Sequence, residues 1–259
     1  EIRSCRISDR SWHLLQDRVL GVAREGDKMI QEYAPHADPR LTAPPFSNNF
    51  VQYIVHRHVL RVAQSFHNLM TESSRRCKRL YVVLASDTVR SAEIPMYTEN
   101  VRTEVLRIAN PRKTKQLPGS CLLFYGMRLL LFSKKCARFG LMNGCACILE
   151  DIVMHDHEVL PTRSEVGEVI PLQFMPTALL LRAEDAKWTL PPEQLPPLPE
   201  NVSRRGLFLL RPHTAYFTHD RLHVKRVQLP VFDASVRIVY GAQGEDFKAV
   251  VADLERPHD

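Results

Sequence analysis

The stretch RVQLPVFDASVRIVYGAQGEDFKAVVADLE, residues 226–255, decides how the rest of this sequence is interpreted. A short apolar segment at 236–239 leads into the polar sequence GAQG at 241–244, and a second apolar run follows at 247–254. Glycine permits a positive φ and a close approach of the backbone to a ligand. Because α/β proteins present sites on loops at strand ends, GAQG is either a ligand-binding loop or an ordinary connection.

Length and composition place the chain among folded globular proteins. Its 259 residues are 44% hydrophobic and 25% charged, which suits roughly one to two domains. No apolar run approaches the roughly 20 residues that a membrane-spanning helix needs, so no membrane partner is expected. The chain begins with Glu1 and carries no signal-peptide pattern, which suggests a fragment of a longer polypeptide.

The charge balance favours a polyanionic partner. Lys and Arg number 35 against 29 Asp and Glu, and the net charge is +6. Neutralisation of phosphates by Lys and Arg drives non-specific nucleic-acid binding, so nucleic acid is an expected partner class.

Six cysteines are scattered through a chain too large to need disulfides, so reduced thiols and a nuclear or cytoplasmic location are expected. Cys145 and Cys147, together with His155 and His157, raise zinc binding as an alternative. Their spacing differs from the usual C-x2-C pairs of zinc sites. Buried small residues are therefore the favoured interpretation, and no metal site is predicted.

Hydrophobic periodicity predicts the elements of the first half. We expect a helix over 9–24, an irregular segment over 34–49, a strand over 50–55, a helix over 57–76 and a strand over 80–85. The apolar face of the second helix is expected to contain Leu60, Ala63, Phe66 and Met70. Strand, helix and strand in this order predict a βαβ unit in a parallel sheet.

The second half is expected to contain more strands. A helix over 99–109 precedes a strand-turn-strand pattern over 122–132, and Asn143-Gly144 marks a turn before a strand over 145–153. Short β-like runs with much proline occupy 158–222, which predicts a small all-β insertion, and α/β character returns at 224. The predicted fold class is thus α/β, with a parallel-sheet domain interrupted by an all-β insertion.

The order of five segments carries a family resemblance. They are FVQYIVHRHVLRVAQSFHN (50–68), YVVLASD (81–87), LPGSCLLFYGMRLLLF (117–132), LMNGCACILEDIV (141–153) and the stretch 226–255. In this order they resemble the C-terminal half of Pif-one-type superfamily 1B DNA helicases, including transposon-type relatives in protists and other eukaryotes. The resemblance covers nearly the whole chain.

The resemblance implies a domain plan and a function. Residues 1–153 and 223–259 would form a RecA-like P-loop NTPase motor domain, the second of two, and 154–222 an SH3-like β-barrel insertion. The implied function is the C-terminal motor part of an ATP-dependent DNA helicase, which couples ATP hydrolysis to single-strand translocation and duplex unwinding. Implied partners are single-stranded DNA or partly unwound duplex, and the N-terminal RecA-like domain of the same polypeptide. ATP and Mg²⁺ would bind the full-length parent and not this chain alone.

The resemblance also implies site residues on two motifs. Motif IV lies on the strand-helix unit at 50–76, and motif V ends in the Gln-Gly of 243–244. The ATP-cleft candidates are Arg57, Gly244 and Asp246. The candidates for nucleic-acid binding or coupling are Tyr240, Gln243 and Arg61. Arg226 and Gln228 are expected to be structural.

Two departures from the family pattern leave a second function open. Residues 238–241 read Ile-Val-Tyr-Gly where the family has Thr-x-His-Lys, so Tyr240 replaces an imidazole. The sequence contains no G-x-x-x-x-G-K-[ST] phosphate loop and no assignable arginine finger, so the chain carries no catalytic residue and should not hydrolyse ATP alone. The alternative is a degenerate, non-catalytic module that binds nucleic acid or protein.

Overall fold

A computed structural model describes residues 22–25, 28–32, 38–46, 50–90, 99–161, 168–199 and 202–253. The chain forms two compact units, one comprising residues 1–52 and 244–251 and the other 53–243 and 252–259. The structure is a sheet-rich mixture of strands and helices. No helix in the described ranges is long and apolar enough to cross a membrane.

The smaller unit contains a β-hairpin and a short 3-10 turn. Strand β1 (Val22–Glu25) pairs antiparallel with β2 (Lys28–Glu32). The helix predicted over 9–24 lies outside the described residues up to 21, and its last three residues belong to β1, so that part of the prediction is wrong. The irregular segment contains the 3-10 turn Pro39–Thr42, where the Arg40 amide donates to the Asp38 carboxylate at 2.9 Å.

In the larger unit, two strands from distant parts of the sequence pair in parallel. Residues 53–55 of β3 (Val51–Val55) lie opposite β15 (Val236–Ile238), with Val236 opposite Tyr53 and Ile238 opposite Val55. The strand predicted at 50–55 is therefore confirmed.

The predicted βαβ unit is wrong. Strand β4 (Leu80–Leu84) forms as expected, but it lies between β6 (Ser120–Leu123), which is antiparallel, and β9 (Val169–Pro171), which is parallel. Both edges of β4 are occupied, so it does not pair with β3. An apolar run indicates that a strand is buried but does not specify which remote strand will pair with it.

Helix α1 (His58–Arg75) follows β3 within a residue of the predicted bounds, but its predicted apolar face is right only in part, because Met70 packs against the buried core and two of the other residues do not. Phe66 is 51% exposed and Ala63 is also exposed, whereas Leu69 is buried. On the packed side Ser65 donates to the carboxylate of Asp233 at 2.9 Å. The packed side of α1 therefore combines polar contacts with the apolar side chains of Leu69 and Met70.

A five-stranded antiparallel sheet contains most of the core. Its strands, in spatial order, are β11 (Leu207–Leu210), β10 (Ala178–Ala183), β8 (Ala146–Val153), β7 (Arg128–Leu131) and β14 (Val231–Asp233). Its fully buried side chains include Leu129, Leu149, Leu181 and Phe208. The turn predicted at Asn143-Gly144 is confirmed, with Gly144 at a φ of 87°.

The strand-turn-strand pattern at 122–132 also forms, but its two strands join different sheets. Strand β6 pairs with β4, whereas β7 pairs with β8 and β14. Gly119 precedes this pattern, and a Cβ there would lie 1.8 Å from the Leu106 carbonyl oxygen. Only glycine fits this approach without movement of the backbone.

A three-stranded antiparallel sheet completes the described strands of the larger unit. Its order is β12 (His213–His219), β13 (Leu222–Gln228) and β5 (Ser86–Arg90). Helix α2 (Glu99–Leu106) covers one face through a cluster of Val105, Phe217, Leu222 and Val224.

Arg226 and Gln228 are structural, as predicted. The fully buried Arg226 guanidinium donates two hydrogen bonds to the Asp87 carboxylate, at 2.8 and 2.7 Å, and others to the carbonyls of Val105 and Leu117. Gln228 is also buried, and its amide donates to the Val83 carbonyl at 3.1 Å. The buried ion pair holds β13, β5 and α2 together.

Candidate functional site

The GAQG sequence forms the end of a helical turn rather than a complete tight turn. Strand β15 is followed directly by the turn α3 (Val239–Ala242), and Gln243 then returns to an extended backbone. Gly244 has a φ of 80°, which disfavours other residues, whereas Gly241 lies within the helical turn. The positive φ is therefore needed at the second glycine of the motif.

Parallel pairing brings this turn to the same sheet edge as the start of α1. Because Ile238 lies opposite Val55, β15 and β3 end together. Beyond that edge, β3 continues into His56 and Arg57, and β15 into α3. The carboxyl edge of parallel strands is where α/β proteins bind ligands. We call this region the strand-end site.

Three predicted residues lie at the strand-end site and are exposed. Arg57 is the N-cap residue of α1 and makes no side-chain capping bond. Tyr240 is 84% exposed, and Gln243 is exposed as well. The other two candidates on this loop, Gly244 and Asp246, belong to the smaller unit, where both are exposed.

The sixth predicted residue, Arg61, contacts the protein interior. Its guanidinium lies 4.5 Å from the centre of the Phe232 ring and donates to the Ala109 carbonyl at 3.4 Å. Burial lowers the pKa of Arg61 to about 10, and the nearby Asp233 carboxylate acts in the opposite direction. Arg61 therefore packs α1 against neighbouring segments.

Polar contacts attach α1 to the segment that leads into the strand-end site. In addition to the bond from Ser65 to Asp233, the amide of Asn68 donates to the Ser235 hydroxyl at 3.0 Å, and the Ser235 amide donates to Asp233 at 2.9 Å. Burial raises the pKa of Asp233, while the hydrogen bonds from Ser235 and Ser65 and the charge of Arg61 oppose the rise. These contacts attach the middle of α1 to the segment that precedes β15.

Sequence reasoning missed the pairing of His56 with Asp253 at this sheet edge. Nδ1 of His56 lies 3.0 Å from a carboxylate oxygen of Asp253, and the His56 side chain is only 10% exposed. The Asp253 amide donates to the Ile54 carbonyl at 2.8 Å, which places it beside the end of β3. A histidine directly after a strand does not indicate such a contact in the sequence, because the residue that will lie beside it is not known.

A basic cavity of about 800 Å³ opens beside the amino end of α1. Its lining residues come from α1, α2, the segment after α2 and the β12–β13 hairpin: Arg57, His58, Val59, Asn100, Thr103, Glu104, Arg107, Ile108, Ala109, Asn110, Lys113 and His219. Arg57, Arg107 and Lys113 are exposed cations, against the single carboxylate of Glu104. A helix amino terminus favours anions, so the cavity suits a phosphate-bearing ligand.

Sequence reasoning found Arg57 in this cavity and missed Arg107. Nothing local in the sequence indicated that α2 would face α1. Burial and the charges of Arg61 and Arg112 lower the pKa of His58, another lining residue. The cavity is therefore favourable to anions even where His58 is neutral.

The zinc alternative does not fit the arrangement of its four residues. His155 stacks on Phe174 with ring centres 4.9 Å apart, and Cys147 is fully buried. Within the described ranges, the cluster that brings three metal-binding side chains together is instead Glu104, His219 and Asp220. Its two carboxylates are largely exposed, and His219 lies 3.4–3.5 Å from both.

No protein-family model matches the sequence, and no curated protein sequence matches it. Solved structures do match. A Pif1 helicase from Candida albicans is 17% identical with a TM-score of 0.44, and the match covers 84% of this chain and 42% of that one. This chain resembles a fragment of a Pif1-type helicase.

A Pif1 helicase from Bacteroides in complex with ADP-AlF3 and ssDNA also matches. It is 12% identical with a TM-score of 0.46, covering 97% of this chain and 40% of that one. Bacteroides Pif1 bound to ssDNA is 11% identical with a TM-score of 0.39, covering 78% and 34% of the two chains. The chain thus spans about two fifths of the length of the first two Pif1 structures.

Proposed function

We propose that this chain is the C-terminal motor-domain part of an ATP-dependent DNA helicase. In the full-length parent it would couple ATP hydrolysis to movement along single-stranded DNA and unwinding of duplex. The observation that supports this proposal is the parallel pairing of β15 with β3. It brings the loop containing Tyr240 and Gln243 to the edge where Arg57 opens α1, beside a basic cavity.

Each site residue has a proposed role. Arg57 would contact a nucleotide phosphate at the amino end of α1, and Gly244 and Asp246 would form another part of the ATP cleft. Tyr240 would stack on a base, and Gln243 would couple nucleotide to nucleic acid. Arg61 packs α1 against neighbouring segments, so any effect of Arg61 on nucleic-acid binding or coupling would be exerted through the position of α1. ATP and Mg²⁺ would bind with the parent's N-terminal RecA-like domain, and this chain alone would not hydrolyse ATP.

The domain plan remains part of the proposal. Residues 1–153 and 223–259 would form the RecA-like domain, and 154–222 the SH3-like barrel insertion. The antiparallel strands β10 and β11 support an all-β insertion, and their sheet extends back to β7 at Arg128. The described cysteines are free, which supports a nuclear or cytoplasmic location.

Gln243→Ala in the full-length protein tests the motor assignment. We expect single-strand-stimulated ATP hydrolysis to fall about tenfold or more, equal to roughly 1.4 kcal/mol of activation free energy, while unstimulated hydrolysis is retained. The matched control is Gln194→Ala, because Gln194 is an exposed glutamine in a short 3-10 turn. Unchanged stimulation in Gln243→Ala would contradict the coupling role. The absence of a phosphate loop upstream in the parent would refute the motor assignment altogether.

One observation favours the second candidate, a non-catalytic binding module. Tyr240 is exposed where the resemblance implies an imidazole, and the adjoining Gly241 stands where it implies the basic residue that would face DNA. An aromatic ring can bind a base without any nucleotide-driven change. In that case the parent would bind single-stranded DNA with an affinity that is independent of ATP and ADP, whereas a motor would change affinity between the two nucleotides. Equilibrium binding of the parent with each nucleotide separates the two functions.

A further inference from the structure

The sheet of β12, β13 and β5 has one covered face and one exposed face. Side chains alternate along each strand, so Phe217, Val224 and Arg226 point toward α2. Six of the intervening residues make up what we call the outer face: Thr214, Tyr216, Thr218, His223, Lys225 and Thr88. All six are exposed.

Tyr216 is the main apolar feature of the outer face, and it lies beside a cation. It is 68% exposed, which is unusual for a large aromatic side chain in the middle of a strand. Tyr216 pairs directly with Lys225, and Lys225 pairs with Thr88 on the next strand. Directly opposed residues have Cβ atoms about 5 Å apart, so the ring and the ammonium group can contact adjacent parts of one ligand.

The chemistry of the outer face favours a single-stranded polyanion with planar groups. The six residues provide a phenol ring, an ammonium group, an imidazole and three threonine hydroxyl groups, and no carboxylate. Bases that are free of a duplex stack on such rings, and lysine neutralises the adjoining phosphate. In a duplex the base faces are already stacked, so only the charge would contribute. An apolar protein partner would find only one large ring.

We propose that the outer face is a binding surface for single-stranded nucleic acid, with Tyr216 stacking on a base and Lys225 contacting a phosphate. The outer face is built from different strands than the strand-end site. This inference deepens the proposed function and rests on it for the class of partner. It adds a second nucleic-acid contact, which lies outside motifs IV and V.

Binding of this chain to a fluorescein-labelled 15-nucleotide oligo(dT) tests the proposal by anisotropy over a salt series. Tyr216→Ala should bind roughly tenfold more weakly, within the range that loss of one stacked base produces, and Tyr216→Phe should stay within about twofold. Lys225→Gln should reduce the slope of log affinity against log salt by about 0.7, the value for one phosphate contact on a single strand. Lys187→Gln, an exposed lysine outside this sheet, should leave the slope unchanged.

Thr214→Glu provides a second variant that adds a carboxylate to the outer face without touching the core. It should weaken binding, while its thermal unfolding matches that of the unmodified chain. A duplex of the same sequence should bind Tyr216→Ala and the unmodified chain equally.

The outcomes separate this proposal from the proposed function. If the unmodified chain does not bind oligo(dT) even at low salt, both fail. A second outcome is that the unmodified chain binds, that Tyr216→Ala and Thr214→Glu bind with the same affinity, and that Tyr240→Ala binds more weakly. Only the outer-face proposal is then overturned. Polyglutamate is a competitor that carries carboxylates but no bases. If it displaces oligo(dT), and Tyr216→Ala and Tyr216→Phe bind oligo(dT) with equal affinity, the outer face would be assigned to an acidic protein and the outer-face proposal would be overturned.

Discussion

Removing the carboxylate of Asp87 should destabilise the larger unit more than the removal of any exposed charged side chain. Asp87 is the counterion of Arg226, and the two side chains are 1% and 0% exposed. In Asp87→Ala the guanidinium keeps its bonds to the carbonyls of Val105 and Leu117 but remains buried without a negative charge. Desolvation of an unpaired charge is the largest penalty that a single substitution can impose here.

The magnitude follows from the geometry of the pair. Breaking a buried, hydrogen-bonded ion pair by removing one partner costs about 3–5 kcal/mol of the free energy of unfolding. For domains of this size each kcal/mol lowers Tm by about 2–4 °C, which gives a decrease of about 6–20 °C. Replacing both residues, as Asp87→Leu with Arg226→Met, removes both charges and should recover much of the loss. The Leu117 carbonyl would then lack its donor, at about 1–3 kcal/mol.

Urea unfolding followed by circular dichroism measures these differences. The matched control is Glu72→Ala, which removes a carboxylate from two exposed pairs: Arg75 is 66% exposed and 2.7 Å away, and Arg76 is 40% exposed and 2.5 Å away. Exposed pairs contribute about 0.2–1 kcal/mol, so this control should change little. The reasoning is refuted if Asp87→Ala costs no more than Glu72→Ala, or if the double replacement is less stable than either single one.

Three other perturbations have definite expected outcomes. Gly119→Ala should cost more than about 3 kcal/mol because the added Cβ meets a backbone carbonyl, whereas Gly126→Ala, with open space but a φ of 84°, should cost roughly 1–2 kcal/mol, as measured by urea unfolding. Iodoacetamide at pH 8 should modify Cys77, which is exposed, and leave Cys147 intact in the folded chain, because burial raises the pKa of Cys147 to about 12 and only about one thiol in 10,000 is ionised. Peptide mass mapping before and after unfolding checks this, and equal labelling of both thiols would contradict it. Gln228→Ala should lower stability by about 1–3 kcal/mol through the donor lost to a buried carbonyl, and a thermal shift below 1 °C would be inconsistent with that bond.

Local patterns were sufficient for most individual elements. The bounds of β3, α1 and β8 follow from apolar periodicity and turn residues, which act over a few positions. Strand pairing was not predictable in the same way, because β4 and β3 are both apolar and either one could accept several partners. The face of α1 was predicted only in part, because Ser65 bonds to Asp233, a residue distant in sequence.

The residues of the candidate site also differ in how far the sequence alone could indicate their surroundings. Tyr240, Gln243 and Arg57 were selected because the resemblance assigns motifs IV and V to these strand ends, and their roles remain predictions. The inward position of Arg61 depends on the ring of Phe232, which no local pattern connects to it. The basic cavity depends in the same way on where α2 places Arg107.

The pairing of β3 with β15 also has a consequence for how the chain folds. The two strands are separated in sequence by almost every other element of the larger unit. Contacts of such high sequence separation form late, because the loop-closure entropy must be lost before any contact compensates for it. During synthesis the edge of β3 that receives β15 therefore lacks this partner until the residues around 236–238 have left the ribosome. An open, apolar strand edge favours pairing with other chains, so truncation before residue 236 should make the product more prone to aggregation.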